Sequence, residues 1–273
     1  MKSPKGVPFV PMIFGAQSVT KAKLKQAQKH GNTLLGFNEP DITSQSNMTV
    51  KQALKLWPRL EKTHMRLGSP AVTWAADQDG QWLDRFMMGA KKRGYRVDFI
   101  TLHWYGSDFN SRRAVNQLKA YVQATHKKYH KPIWVTEYSL INFDGSPTFP
   151  SPSNQAEFAT KSTAMLEKLP YVERYAWFSF PTSQNGQDET GLYRPGGAIT
   201  EPGKAYRAAG VSGRTEDRTA WILLHRGEGG EPEASHRAEG PPTWRRLLAP
   251  LPAFEFDNHV QVPQMTGVFL QQV

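Results

Sequence analysis

The chain has 273 residues, and 38% of them are hydrophobic, which is enough for one large domain with a core of its own. Cysteine is absent, which excludes disulfides, zinc–thiolate sites and a thiol nucleophile. The net charge is +10, but the basic residues lie mainly in helix-like stretches without interleaved aromatic residues, so we interpret them as solvated helix faces and expect no nucleic-acid partner.

Up to about residue 210, short apolar runs alternate with longer segments of helical periodicity. The apolar runs predict strands at 7–14, 33–38, 66–72, 97–104, 133–138 and 174–180. The segments between them predict helices at 19–30, 50–63, 80–93, 114–129 and 154–169, and a last helix after Pro202. Because the strands are apolar throughout, as buried parallel strands are, we predict an α/β fold of the (β/α) TIM-type barrel class.

The texture of the sequence changes after the last predicted helix. Residues 213–273 are rich in Arg, Glu, Gly and Pro and show no steady period, and 227–242 has the composition of a disordered linker. Residues 260–273 have some β-propensity but no evident partner. We therefore predict a catalytic barrel domain over 1–210 and an irregular or disordered tail over 211–273.

Two glutamates stand at the ends of predicted strands, Glu39 after 34–38 and Glu137 after 132–136. The active site of a (β/α) barrel lies at the carboxyl ends of its strands, and a carboxylate there is costly unless it is paired or at the mouth. Each glutamate alone is equally well explained as an exposed charge or a cap partner. The pair, on strands three apart, favours chemistry.

Glycoside hydrolysis uses such a pair, one carboxylic acid to protonate the leaving oxygen and one carboxylate to attack the anomeric carbon. Asn38 is placed to bond a sugar 2-hydroxyl, and Tyr105 to donate to the nucleophile and keep it ionised. The aromatic residues Trp177, first, and Trp74, second, are our candidates for sugar platforms, although core packing explains about half of the aromatics near these strand ends.

Other polar and aromatic residues at the strand ends complete the candidate site. His103 and Tyr138 are added as substrate-binding residues. No second histidine or carboxylate stands at ligand spacing from His103, so we expect no metal and no cofactor. Asp41 is expected to be a turn or cap residue, and Asp98 is expected to be structural as well.

Six segments in order resemble glycoside hydrolase family 128, the β-1,3-glucanases of the large retaining barrel clan: 7–12, 35–41, 68–71, 98–106, 132–138 and 175–178. The resemblance covers about 7–208. It implies Glu39 as acid/base at the end of barrel strand four, Glu137 as nucleophile at the end of strand seven, and a sugar platform at Trp177. The implied partner is a β-glucan polysaccharide or oligosaccharide, cut internally by a monomer in the extracellular space or the cell wall.

The chain also departs from the family at both ends. If Glu39 ends strand four, strands one and two are missing, so the barrel is expected to lack its first two strands, and the tail resembles nothing in the family. Two readings stay open, an active endo-β-1,3-glucanase and an inactive truncated remnant that only binds glucan. A third, a nucleic-acid-binding protein, rests on charge alone. No signal peptide and no membrane span are visible, and Asn47 begins an N-glycosylation triplet.

Overall fold

The computed structural model describes residues 9–180, 190–212, 219–224, 267–268 and 270–272. Strands and helices alternate along them, which confirms the α/β class. The helices are α1 (Lys21–Gln28), α2 (Val50–Glu61), α3 (Trp82–Lys92), α4 (Ser111–Tyr129), α5 (Pro152–Glu167) and α6 (Glu201–Ser212). The strands are β1 (Val10–Pro11), β2 (Thr33–Leu34), β3 (Arg66–Leu67), β4 (Ile100–Gly106), β5 (Ile133–Leu140), β6 (Val172–Ser179), β7 (Thr219–Leu224), β8 (Gly267–Val268) and β9 (Leu270–Gln272).

The helices begin where side chains replace missing backbone partners. Thr49 caps α2 by accepting from the backbone of Gln52, whose side chain accepts from the backbone of Thr49 in return. Asn110 and Ser151 cap α4 and α5 by accepting from the backbone N–H of Arg113 and of Asn154. Within the part of the chain that the structure describes, none of the helices combines the length and apolar character needed to cross a bilayer.

Parallel pairing joins the strands in chain order. β2 pairs with β3, and β4, β5, β6 and β7 pair in sequence. Isolated parallel bridges join β1 to β2 at Met12 and Leu35, and β3 to β4 at Gly68 and Phe99. Within the described ranges, the strands form separate sheets linked by these single bridges and do not close into a ring. β1, β2 and β3 contain two residues each and are shorter than predicted.

Parts of the predicted tail form strands. β7 is parallel to β6, β9 is antiparallel to β7, and β8 is antiparallel to β1. The expectation of a wholly irregular tail is thus wrong for 219–224, 267–268 and 270–272. The predicted linker at 227–242 lies outside the described residues.

Two hydrophobic clusters lie on opposite faces of the strands. The outer cluster joins strand residues such as Val135 to helix residues such as Phe158. The inner cluster, drawn from strands and loops without helix residues, is made of Val10, Met12, Leu35, Phe99, Trp134, Ile141, Ala176, Phe178 and Phe180. On the inner side Arg66 of β3 forms a bidentate ion pair with Glu173 of β6, although β4 and β5 lie between them. The strands must therefore curve strongly around the inner cluster.

Replacing Glu173 with alanine tests this cross-strand contact. Trp134 Nε1 also donates to Glu173 at 2.8 Å, so the change leaves two donors without an acceptor. Because both ionic side chains are about a third exposed, we expect the free energy of unfolding to fall by about 1–2 kcal/mol, measured by urea denaturation. The control is Glu157→Ala, which removes an exposed pair with Lys161 and should change little. Equal losses in both variants would contradict the prediction.

Candidate active site

A bulge in β5 sets the direction of Glu137. On β4, Leu102 lies opposite Val135, but His103 lies opposite Glu137, so Thr136 has no counterpart. The same extra residue appears against β6, where Val135 pairs with Tyr175 and Tyr138 with Trp177. A bulge of this kind redirects the side chains that follow it.

The bulge places Glu137 inside and Tyr138 outside. Trp134 belongs to the inner cluster, so strict alternation would turn residues 136 and 138 inward. With one extra residue the parity changes, and Tyr138 packs instead against Phe158 and Trp177 in the outer cluster. Glu137 therefore lies on the inner side, beside His103.

β4 supplies the neighbours of Glu137 by regular alternation. Leu102 belongs to the outer cluster, so the residues on either side of it face inward. His103 Nδ1 lies 3.4 Å from Glu137 Oε2, and the Tyr105 hydroxyl donates to the same carboxylate oxygen at 2.5 Å. Two consecutive inward residues of one strand thus contact one carboxylate.

Glu39 reaches the same point from an unusual backbone conformation. Its φ of 39° lies in the left-handed region, which costs a non-glycine residue about 1–3 kcal/mol. The Glu39 N–H donates to the carbonyl of Ala71 at 2.7 Å, which fixes this turn beside the end of β3. Its carboxylate accepts from His103 Nδ1 at 2.8 Å.

The three groups form one buried cluster. One donor atom each from Glu39, His103 and Glu137 lies within 4.8 Å of the other two, and all three residues are buried. Such a spacing can hold a metal ion, whereas the sequence predicted none. The 2.8 Å between His103 and Glu39 is a hydrogen-bond length, shorter than the separation of about 3.3 Å between two ligands around a tetrahedral zinc. The contact as it stands is therefore made through a proton.

Burial and neighbouring charges shift the pKa values of Glu137, His103 and Tyr105. Burial raises the pKa of Glu137 to about 7, with His103 and the Tyr105 hydroxyl opposing the rise and Glu39 adding to it. Burial alone would lower the pKa of His103, but Glu137 and Glu39 outweigh it and raise that pKa above its ordinary value. A protonated imidazole between two carboxylates offsets part of their repulsion. Burial and Glu137 raise the pKa of Tyr105, so its hydroxyl stays a donor.

Asn38 and Trp74, two further predicted site residues, differ in burial. Asn38 is 7% exposed, and its amide donates to Gln45 Oε1 at 3.2 Å, which fixes the orientation of the amide. Gln45 was missed because its contact depends on the folding of the loop after Glu39, for which the sequence carries no periodic signal. Trp74 is 60% exposed and follows β3, as a sugar-binding side chain requires.

Three predicted substrate contacts need correction. Trp177 is fully buried, donates through Nε1 to the carbonyl of Thr190 and packs against Tyr206, so it lies on the outer side and cannot serve as a sugar platform in this structure. Tyr138 is buried beside Trp177, because the bulge in β5 turns its side chain to the outer side. His103 is also fully buried and contacts the two carboxylates, so it is not placed to touch a sugar.

Comparisons with known proteins identify the family of this chain. Residues 1–206 match the family described as "Glycosyl hydrolase catalytic core". A family 128 subgroup I endo-β-1,3-glucanase from Amycolatopsis mediterranei is 55% identical, with a TM-score of 0.72, over 77% of this chain and 86% of that one. The chain belongs to glycoside hydrolase family 128. A subgroup II endo-β-1,3-glucanase of this family from Sorangium cellulosum is 30% identical, with a TM-score of 0.60, over 77% and 82% of the two chains.

A further relative of this family 128 chain is longer. The Alkali-sensitive linkage protein 1 of Schizosaccharomyces pombe is 31% identical over 186 residues, which are 64% of this chain but 32% of that protein. The matched region therefore spans about a third of the relative's length. The matched family model and the matched glucanase structures are those of glycoside hydrolases, the enzyme class that the sequence predicted for this chain.

Replacing Tyr105 with phenylalanine tests the electrostatics of the cluster. The hydroxyl bond lowers the pKa of Glu137, so its loss raises that pKa further and moves the acidic limb of the activity profile to higher pH. We expect the activity at the parent's optimum to fall about tenfold to a hundredfold, the effect of one hydrogen bond to a charged group. The measurement is the pH dependence of kcat/KM on a glucan. The control is Tyr175→Phe, which removes a similar bond to Glu167 and should leave the acidic limb in place. An unmoved acidic limb in Tyr105→Phe would contradict the effect of this hydroxyl on the pKa of Glu137.

Proposed function

We propose that this chain is a retaining endo-β-1,3-glucanase with Glu39 as acid/base and Glu137 as nucleophile. The observation that carries the proposal is the approach of the two buried carboxylates around His103, with donor atoms within 4.8 Å of one another. Carboxyl groups about 5–5.5 Å apart are typical of retaining glycosidases, whereas inverting enzymes need about 6.5–9.5 Å to admit a water molecule. The spacing favours double displacement.

Relatives support the substrate class. Structures of the Amycolatopsis enzyme carry laminaritriose or laminaripentaose, and variants of two different glutamates were used for such complexes. A cleft built on the same strands in this chain would take a β-1,3-glucan or its oligosaccharides. Substrates of this class lie in cell walls and the extracellular space, and we infer that the protein acts there.

The proposed reaction has two steps. In the first, an oxygen of Glu137 attacks the anomeric carbon while Glu39 gives its proton to the departing glycosidic oxygen, so that a glycosyl ester forms on Glu137. In the second, Glu39 takes a proton from water as the water oxygen attacks the same carbon and releases Glu137. Both displacements invert the carbon, and the product keeps the starting configuration.

The neighbours divide the supporting roles. Tyr105 donates to Glu137, which favours its ionised and attacking form. His103 holds the Glu39 carboxylate in place through a hydrogen bond from Nδ1. This hydrogen bond changes as Glu39 loses and regains its proton. Asn38, oriented by Gln45, is the proposed partner of the sugar 2-hydroxyl.

Substitution of each carboxylate tests the roles. Glu137→Gln should abolish turnover, a loss of at least about a thousandfold for a nucleophile, while glucan binding measured by calorimetry persists. Glu39→Ala should lose activity on glucan but be partly rescued by azide on aryl glycosides with good leaving groups, giving a product of retained configuration. The control is Glu157→Gln on the surface of α5, which should match the parent.

The outcomes separate the readings. Azide rescue of Glu39→Ala with inverted configuration would mean that the two roles are exchanged. Binding of glucan by the folded parent without any hydrolysis would favour the glucan-binding remnant. Turnover by Glu137→Gln within a few fold of the parent would remove the nucleophile assignment.

We also propose that the strands complete a (β/α) barrel. The ion pair between Arg66 and Glu173 supports a curvature like that of a barrel, and the tail strands β7 and β8 pair with β6 and β1, the two ends of the series. Antiparallel tail strands in this place would cover edges that otherwise expose unpaired backbone groups.

A chain ending at Ser212 tests the part played by the tail. Without β7, β8 and β9 two strand edges lose their partners, so we expect the midpoint of thermal unfolding to fall by several degrees, measured by circular dichroism. Hydrolysis of glucan should fall with it. An unchanged midpoint and unchanged activity would show that the tail is no part of the barrel.

A further inference from the structure

The loop that follows β3 combines an exposed tryptophan with firmly held neighbours. Trp74 is 60% exposed, but Thr73 before it is partly buried and Ala75 after it is 6% exposed. Ala75 has a φ of 54°, in the left-handed region. Such a conformation persists in a non-glycine residue only where the surroundings determine it.

Asp41 holds one side of Trp74. Both oxygens of its carboxylate lie 3.1 Å from the backbone nitrogen of Thr73, and the Thr73 hydroxyl donates to Asp41 as well. Asp41 is itself half-buried, two residues after Glu39. The carboxylate therefore ties the loop of the proposed acid/base to the loop of Trp74.

Helix α4 holds the other side. The N–H of Ala76 donates to the hydroxyl of Tyr121 at 3.2 Å, and the hydroxyl of Tyr129 donates to the carbonyl of Ala76 at 2.9 Å. Trp74 thus lies between two anchored residues, Thr73 and Ala76. An exposed indole on such a backbone loses less conformational entropy when a ligand stacks on it.

We propose that Asp41 is a positioning residue that holds Trp74 in place as a sugar platform on the loop after β3. The proposal rests on the proposed function for the identity of its ligand. Glu39 has anchors of its own, its N–H on Ala71 and its carboxylate on His103. Loss of the Asp41 contacts should therefore act on glucan binding through Trp74 and leave the chemical step nearly intact.

The first test compares Asp41→Asn with the parent on a linear β-1,3-glucan. The asparagine amide presents N–H donors to a Thr73 that is itself a donor, so the contact is weakened without a change of size. Because the asparagine weakens the contact rather than removing it, we expect KM to rise about threefold to tenfold, the effect of one ordinary hydrogen bond, with kcat within about twofold. Asp98→Asn is the matched control, because Asp98 accepts from the backbone N–H of Leu67 at the opposite ends of the strands. A fall in kcat with KM unchanged, or an equal KM effect in Asp98→Asn, would overturn the proposal.

The second test asks whether the effect passes through Trp74. In a Trp74→Ala background the further change Asp41→Asn should alter KM by less than about twofold, because residues that act through one contact are not additive. If the effects of the two single changes on KM multiply in the double variant, Asp41 acts by a route other than Trp74, and the proposal is overturned.

A third measurement is independent of the substrate. Hydrogen–deuterium exchange in a peptide covering 72–81 should become at least about tenfold faster in Asp41→Asn and stay at the parent rate in Asp98→Asn. Unchanged exchange would show that Asp41 does not hold this loop in place. A parent that hydrolyses no β-1,3-glucan, with exchange that responds as expected, would instead count against the proposed function alone.

Discussion

The site depends on one extra residue in a strand. In a regular β5 the side chain of Glu137 would share a face with Val135, in the outer hydrophobic cluster, where burial of a carboxylate is costly. The unpaired Thr136 shifts the parity, and the carboxylate then meets His103 and Tyr105, which the regular alternation of β4 already directs inward. The same shift removes Tyr138 from the inner face. One bulge therefore explains why Glu137 lies in the candidate site and why Tyr138 does not.

The buried charges of the cluster are acceptable because they are arranged around a single imidazole. Two isolated carboxylates at this depth would repel one another and lose their hydration. His103 donates to Glu39 and lies 3.4 Å from Glu137, so its charge acts on both. The pKa of Glu137 stays raised because burial and Glu39 outweigh the opposing effects of His103 and the Tyr105 hydroxyl.

The sequence predicted what depends on local pattern. All six described helices and the order of the strands follow from periodicity and from caps such as Thr49. Glu39 and Glu137 were predicted as a pair because strand ends in barrels carry chemistry, and the structure brings the two side chains together. Trp177 was misplaced because the direction of a side chain depends on register, which the run of apolar residues in β6 does not reveal. Gln45 was missed because loop contacts are set by the fold and not by spacing.

Stability and chemistry are separated along the strands. The Arg66–Glu173 pair holds the amino ends of β3 and β6 on the inner side, whereas Glu39 and Glu137 meet near the carboxyl ends. The chemical end contains conformations that are costly by themselves, the left-handed backbone of Glu39 and of Ala75. Each is held by contacts from a neighbouring segment, Ala71 for Glu39 and α4 through Ala76 for Ala75. Asp41 joins these two strained segments directly, so the position of the proposed platform and that of the proposed acid/base are fixed relative to each other before any sugar arrives.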